Sequence, residues 1–223
     1  MKPILRNRIQ TTLLSTLFFL SLCIIVFLIV GILQGKSFSI DLTFYEYITS
    51  TLSTEWLSVF EQVSFLASKP AIIVISLMTL FFLWLFKKDY AGMITMVVFV
   101  MGGNVLNKLI KSWTQRERPA VNGLEEGYSF PSGHVMVGFI MYGIIVYLIY
   151  RHSSHTLLKV ISLITVTLFL VIIGISRIAT EEHYATDVLA GYGFGGVLLV
   201  IAIKAHHYIE KERSAKHQVH TGF

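Results

Sequence analysis

Six apolar stretches run along the chain, at about 11–33, 70–86, 90–110, 132–150, 157–176 and 184–205. A helix crossing the hydrocarbon core of a bilayer takes about 20 such residues. Within that core no water meets a bare N–H or C=O, so each stretch must close its hydrogen bonds internally, as a helix. Composition agrees: 54% of the 223 residues are hydrophobic and 14% charged, where a soluble domain carries about 25% charged. The expected architecture is an all-α integral membrane bundle of about six transmembrane helices in a single domain. The single cysteine, Cys23, lies inside an apolar run and supports neither a disulfide framework nor a cysteine metal site.

The first run follows Lys2, Arg6 and Arg8 and exceeds the roughly 7–15 residues of a secretory signal core, so it is expected to remain as a span. Between the first two spans, residues 37–68 mix Phe38, Tyr45, Tyr47 and Trp56 with Asp41 and Glu46. Aromatic residues of this kind gather at the membrane–water boundary. The periodic part, 56–68, reads as a helix at or entering that interface, and the segment is expected to help shape lipid entry.

Six spans put both termini on one side, with Lys2, Arg6, Arg8, Lys87, Lys88, Arg151, Lys159, Lys204, Lys211, Arg213 and Lys216 against Asp89, Glu210 and Glu212. The excess of basic residues assigns that side to the cytoplasm. The net charge of +5 therefore reads as membrane orientation and not as a nucleic-acid footprint. The polar tail from about 207 reads as a helix end leading into a disordered terminus. His206, His207, His217 and His220 are taken as solvated rather than as metal ligands.

Three clusters fall at the outer ends of spans. Lys111 to Pro119 closes the third helix. Lys111 and Arg118 place a point charge and a planar fork of donors where a phosphate head group would sit; alternatively they only anchor the helix end. Pro131-Ser132-Gly133-His134 opens the fourth. Ser132 suits an N-cap, and Gly133 lets the helix-start amides approach an anion. Capping alone explains those residues, but not the imidazole of His134 at the head of an apolar span.

Ser176 to Asp187 joins the fifth and sixth helices. His183 and Asp187 are four apart and share a helical face. A carboxylate on one ring nitrogen fixes the tautomer and leaves the other free to attack; the bland alternative is a surface ion pair. Arg177 adds a further cation, while Glu125, Glu126, Glu181 and Glu182 read as a solvated face.

These segments resemble the K-x6-R-P, P-S-G-H and S-R-x5-H-x3-D motifs of the type 2 phosphatidic acid phosphatase superfamily, in its six-helix membrane branch. The spacing shows no departure, and the resemblance covers residues 111–187. It implies His183 as nucleophile, Asp187 as its orienting partner and His134 as the acid that protonates the leaving alkoxide. It implies a phosphate cradle of Lys111, Arg118, Ser132, the Gly133 backbone and Arg177. It further implies metal-free hydrolysis of a lipid phosphate through a phosphohistidine, and the charge-based topology puts that site at the outer face of the cell membrane.

Phosphatidylglycerophosphate is the first expectation for substrate. Undecaprenyl diphosphate follows, then phosphatidate and diacylglycerol diphosphate. Two readings from other classes remain beside it. An intramembrane serine hydrolase would act through Ser132, although Phe130 stands where a nucleophile elbow has glycine. A non-enzymatic transporter or scaffold would bind lipid phosphate without needing His134, His183 and Asp187. Oligomeric state is not legible.

Overall fold

A computed structural model describes residues 3–119 and 127–221, with side chains from 11 to 119 and from 127 to 213. Every regular element among the described residues is helical. Helix α1 spans Pro3–Leu33. Two shorter helices follow, α2 (Ser39–Thr51) and α3 (Thr54–Ser64), with a single 3₁₀ turn at Phe65–Ala67. Helix α4 (Lys69–Phe82) ends in a π turn, Leu83–Lys87. The rest are α5 (Tyr90–Thr114), α6 (Gly133–His152), α7 (Thr156–Ala179) and α8 (Ala185–Thr221).

Six helices are long and apolar enough to cross a membrane: Thr11–Leu33, Lys69–Lys87, Tyr90–Thr114, Gly133–His152, Thr156–Ala179 and Ala185–Arg213. The expected spans hold, with ends displaced by a few residues except for the last, which runs on to Arg213. Outward-facing Phe19, Phe27, Leu77, Phe81, Leu157 and Leu168 are more than half exposed, which an apolar solvent tolerates and water would not.

Helices α6 and α8 pack on each other at the centre, with α1 and α5 against α8 and α7 against α6. Small residues allow the closest approach. A Cβ at Gly196 would stand 2.4 Å from Ser21 Oγ, and one at Gly193 would stand 3.0 Å from Ile25, so α1 seats directly on the α8 backbone. The core runs through Met96, Met136, Ile140, Met141 and Ile144, all 1% exposed or less.

The interfacial segment proves more regular and more deeply seated than its sequence conveys. It is helical from Ser39, and Ile48 and Ala67 share a buried cluster with Val135, Leu170, Ile173 and Val188. Helix α3 lies against α7; Ser176 Oγ donates to Ser64 Oγ at 3.2 Å and Tyr142 OH to the Leu66 carbonyl at 2.9 Å. The α1–α3 region therefore forms one wall of the bundle end where α5 and α7 finish and α6 and α8 begin.

Two expectations for the far end are corrected. Helix α8 continues to Thr221 instead of dissolving into a disordered tail, because residues 207–221 contain no glycine or proline to stop it. Nor is His206 solvated: it is fully buried, 2.8 Å from Tyr147 OH through Nδ1 and 3.4 Å from Asp89 Oδ2 through Nε2. His152 Nε2 meets the same carboxylate at 2.8 Å, and the Gly92 amide donates to its other oxygen at 2.8 Å. Burial pushes the Asp89 carboxyl upward, but those donors outweigh it and hold it well below the usual carboxylate range. The cluster ties the start of α5 to the end of α6 and to the second half of α8.

Candidate active site

Helix α7 ends at Ala179, and the chain turns through Glu181 in the left-handed region, φ 58°. Glycine usually fills that position after a helix, and a side chain there costs about 1 kcal/mol. The turn is held instead by a short hydrogen bond from Tyr45 OH on α2 to the Glu181 carboxylate, and by the His183 amide donating to the Arg177 carbonyl at 3.0 Å. His183 thereby faces inward, 1% exposed.

Asp187, in the first turn of α8, is fully buried beneath it. Its Oδ2 lies 3.6 Å from His183 Nδ1 and accepts from the Tyr184 amide at 3.0 Å. Nε2 is therefore the ring nitrogen turned away from the carboxylate. Burial lowers the His183 pKa; Asp187 opposes that shift, while the fields of Lys111 and Arg118 add to it. The ring is thus a neutral base at neutral pH.

The three motifs, separate along the chain, are joined here by hydrogen bonds. Arg118 Nη1 donates to the Glu182 carbonyl at 2.7 Å and Nε to the Gly127 carbonyl at 3.1 Å. Lys111 Nζ donates to the Tyr128 carbonyl at 2.7 Å. The Ser132 amide donates to the Asp187 carbonyl at 3.1 Å, which fixes the head of α6 against the start of α8 and places His134 in the turn beside them.

Ser132 Oγ and both His183 ring nitrogens are buried polar atoms without a hydrogen-bond partner. Such groups are rare in folded proteins, and a catalytic role is one of the reasons a fold keeps them. Among the described residues Ser132 Oγ has no hydrogen-bonded base, unlike the nucleophile of a serine hydrolase.

Some expectations change. Glu181 and Glu182 are not a solvated face: Glu181 accepts from Tyr45, and Glu182 forms a close ion pair with Arg177. The tight turn points both acids back at the bundle, where buried Arg177 requires a counter-charge. Glu125 and Glu126 lie outside the described residues.

Three residues at the site went unread in the sequence. Asn107, 5% exposed and about two turns before the end of α5, donates to the Pro131 carbonyl at 3.0 Å and stands where a Cβ on Gly133 would meet its Oδ1 at 3.2 Å. An amide inside an apolar helix was the available signal. Arg116, at an unspecified position of its motif, donates to Asp187 Oδ1 at 2.5 Å and to Asp41 Oδ2 at 2.7 Å. Asp41, on α2, is itself buried. A cleft of about 640 Å³ opens beside the site, lined by polar His183, Arg116 and Lys36 together with apolar Ile32, Phe38 and Leu42.

The PAP2 superfamily profile matches residues 92–211, more than half of the chain. The chain belongs to the PAP2 superfamily. Among curated proteins it is 34% identical over 128 residues to phosphatidylglycerophosphatase B of Bacillus subtilis (strain 168), an alignment covering 55% of this chain and 61% of that protein. The match therefore spans less than two thirds of that relative's length.

Among solved structures, the fold is similar to a transmembrane PAP2 type phosphatidylglycerolphosphate phosphatase from Bacillus subtilis. The TM-score is 0.68 at 25% identity, over 89% of this chain and 96% of the other. Aquifex aeolicus LpxE shares the fold, with a TM-score of 0.58 at 23% identity over 75% of this chain and 97% of that one. With six apolar spans and this kinship, the chain is a multi-pass membrane protein of the PAP2 superfamily. All three motifs lie inside the matched region.

Proposed function

We propose that this protein is a lipid phosphatase acting through a phosphohistidine, with phosphatidylglycerophosphate as its preferred substrate. One observation carries the reading. A buried, neutral His183 is backed by Asp187, lies in the field of Lys111 and Arg118 from the first motif, and lines a cleft with both polar and apolar residues, while the Ser132 amide is tied to the Asp187 carbonyl. That arrangement suits a phosphate monoester on an apolar tail.

The His183 Nε2 lone pair attacks phosphorus in line, and the bond from phosphorus to the lipid oxygen breaks. His134 gives its proton to that oxygen. Lys111, Arg118, Arg177, Ser132 and the Gly133 amide hold the phosphoryl oxygens while charge shifts among them. Water then gives a proton to His134 and its oxygen to phosphorus, the N–P bond breaks, and His183 returns neutral with inorganic phosphate released. No step needs a metal.

The apolar lining residues Ile32, Phe38 and Leu42 would take the lipid's glycerol and the first carbons of its tails, which makes the 37–68 segment the side from which substrate enters. The basic residues at the opposite end favour cytoplasmic termini and an outward-facing site. Terminal tags digested only after the membrane is opened would agree with that orientation.

The names of the Bacillus relatives favour phosphatidylglycerophosphate over the other lipids. The test is phosphate release by the full chain in detergent from phosphatidylglycerophosphate, undecaprenyl diphosphate, phosphatidate and diacylglycerol diphosphate, beside His183→Ala. The reading requires turnover of the first above the others, and none by the variant. Near-wild-type turnover by a folded His183→Ala protein refutes the mechanism; preference for another lipid refutes only the substrate.

A further inference from the structure

The carboxylate behind His183 is not alone. Arg116 donates through Nη1 to Asp187 Oδ1 at 2.5 Å and to Thr186 Oγ1 at 2.7 Å, and through Nη2 to Asp41 Oδ2 at 2.7 Å. Its guanidinium lies over the Tyr184 ring, 4.1 Å from the centroid. Asp41 also accepts from the Thr186 amide at 2.8 Å and from the Thr186 hydroxyl at 3.0 Å. Asp41 is 9% exposed and Asp187 0%.

The chain of groups runs carboxylate, guanidinium, carboxylate, imidazole, and its first member comes from α2, a helix outside the three motifs. Charge explains why two carboxylates are present. A lone Arg116 against Asp187 would make a neutral pair, and His183 would face no net negative charge when its ring gains the phosphoryl group and becomes cationic. A second carboxylate on Arg116 leaves the trio at −1. Arg116 thus orients Asp187 without cancelling its field, and Asp41 restores what Arg116 would remove.

From this geometry we infer that Asp41 and Arg116 are positioning residues for the His183–Asp187 pair, so that α2 forms part of the site's electrostatics as well as its wall. The inference rests on His183 being the nucleophile. The competing account makes Asp41 only a bolt that fastens α2 to α8. The two accounts differ in what His183 feels.

The charged groups around that ring are Asp187 on α8, Lys111 at the end of α5 and Arg118 beyond it, with the Arg177–Glu182 pair flanking it in the chain and Lys36 and Glu117 lining the same cleft. His134 stands at the head of α6. Tyr45 and Glu181 are bonded to each other on the α2 side, and Arg116 and Asp41 lie behind Asp187. Removing the Asp41 charge withdraws negative potential from this set. It therefore lowers the pH at which His183 gains a proton, and it also makes the ring a poorer nucleophile.

The experiment measures kcat, KM and the pH profile of phosphate release from phosphatidylglycerophosphate for the full chain, with thermal midpoints for each protein. Asp41→Asn keeps the volume and one acceptor for Thr186. We expect kcat about tenfold lower, a factor equivalent to ~1.4 kcal/mol, KM within about twofold, and the acid limb of kcat/KM moved to lower pH. Asp41→Glu should return the limb towards wild type. Arg116→Lys keeps the charge but cannot bridge two carboxylates with a planar fork, so it should lose kcat with the limb unmoved.

A fall in activity that follows the thermal midpoint, with no shift of the acid limb, makes Asp41 a bolt and overturns the inference. So does wild-type kcat in Asp41→Asn. His183→Ala is measured alongside. If it is active, the underlying mechanism fails; if it is dead while Asp41→Asn is normal, only the role of Asp41 fails. Should Asp41→Asn not fold, Asp41→Glu and Arg116→Lys still decide, since an Arg116→Lys protein with wild-type kcat overturns the inference.

Discussion

Asp187→Asn is the substitution whose outcome the site geometry most closely determines. Asp187 Oδ1 accepts from Arg116 at 2.5 Å, so the amide oxygen of an asparagine must occupy that position and its NH2 must take the place of Oδ2. That NH2 then confronts the Tyr184 N–H, a donor 3.0 Å away, and faces His183 Nδ1, now 3.6 Å from the carboxylate. A donor aimed at Nδ1 makes it the acceptor, and the ring proton moves to Nε2, the nitrogen assigned to attack. The proposed nucleophile is then blocked by its own proton.

A wrong tautomer in the analogous arrangement of a serine protease triad costs about 10⁴ in kcat; here a loss of about 10³ to 10⁴ is expected, ~4 to 5.5 kcal/mol. Asp187→Ala should behave differently. It leaves the tautomer free but removes the acceptor of the Tyr184 amide and one of the two carboxylates on Arg116, which keeps Asp41; a buried donor left without its acceptor costs about 1–3 kcal/mol of stability. The alanine variant should therefore lose more thermal stability, and the asparagine variant more activity per folded molecule. The assay is phosphate release normalised to folded protein, with thermal midpoints measured in the same detergent. An asparagine variant within about tenfold of wild type, its midpoint intact, would refute the tautomer argument.

The His183 pKa is depressed by burial, so its neutral, attacking form persists to lower pH; the acid limb of kcat/KM should lie below the ordinary imidazole value of about 6.5. A limb above that value contradicts the assignment. The same shift carries a stability consequence. A ring that resists protonation in the fold but not in the unfolded chain makes stability decline as pH falls below about 6.5, and His183→Gln should flatten that decline.

Gly133→Ala puts a Cβ 3.2 Å from Asn107 Oδ1, displacing the amide that holds the Pro131 carbonyl; kcat should fall about tenfold with little change in the thermal midpoint. The Asn107→Ala, Gly133→Ala double variant should be no worse than Asn107→Ala alone, and additive losses would remove the explanation.

At the far end, the depressed Asp89 carboxyl contributes stability that is fully present above its unfolded pKa of about 3.9 and lost as pH falls through the lower folded value. Asp89→Asn should therefore melt earlier at pH 7, show a flatter acid dependence and keep wild-type activity per folded molecule. Reduced activity in the folded variant would mean that the far cluster reaches the site.

What the sequence made legible follows from the range of the forces involved. The spans were readable because crossing a bilayer is a local requirement, met by each run of some 20 residues on its own. The motif residues were readable because imidazoles and cations at the ends of apolar helices need a reason to be there. His183 and Asp187 could be paired because helix geometry alone brings positions four apart together.

The fold class, the six spans and the meeting of the three motifs at one end were thus available before any coordinates. Arg177 carried a charge that was read, but not the partner: its pairing with Glu182 depends on a left-handed turn at Glu181 that no local rule predicts for glutamate.

Asp41 marks where such reading stops. It lies among aromatic and polar residues whose pattern says only that they belong at an interface, and its partners are 75 and 145 residues further along. Nothing in its neighbourhood distinguishes a buried carboxylate from a wet one. What could have raised the question is the excess cation in the first motif. Arg116 sits two residues before Arg118 with no phosphate role assigned, and a guanidinium held near a lipid boundary needs a counter-charge from somewhere in the chain. Asking which carboxylate supplies it leads to Asp187 first. That answer would leave the carboxylate behind the nucleophile electrically cancelled, and a cancelled carboxylate cannot help a histidine accept a phosphoryl group. The chemistry therefore calls for one more acid, from a helix outside the motifs, and among the described residues Asp41 bonds to Arg116 in that role.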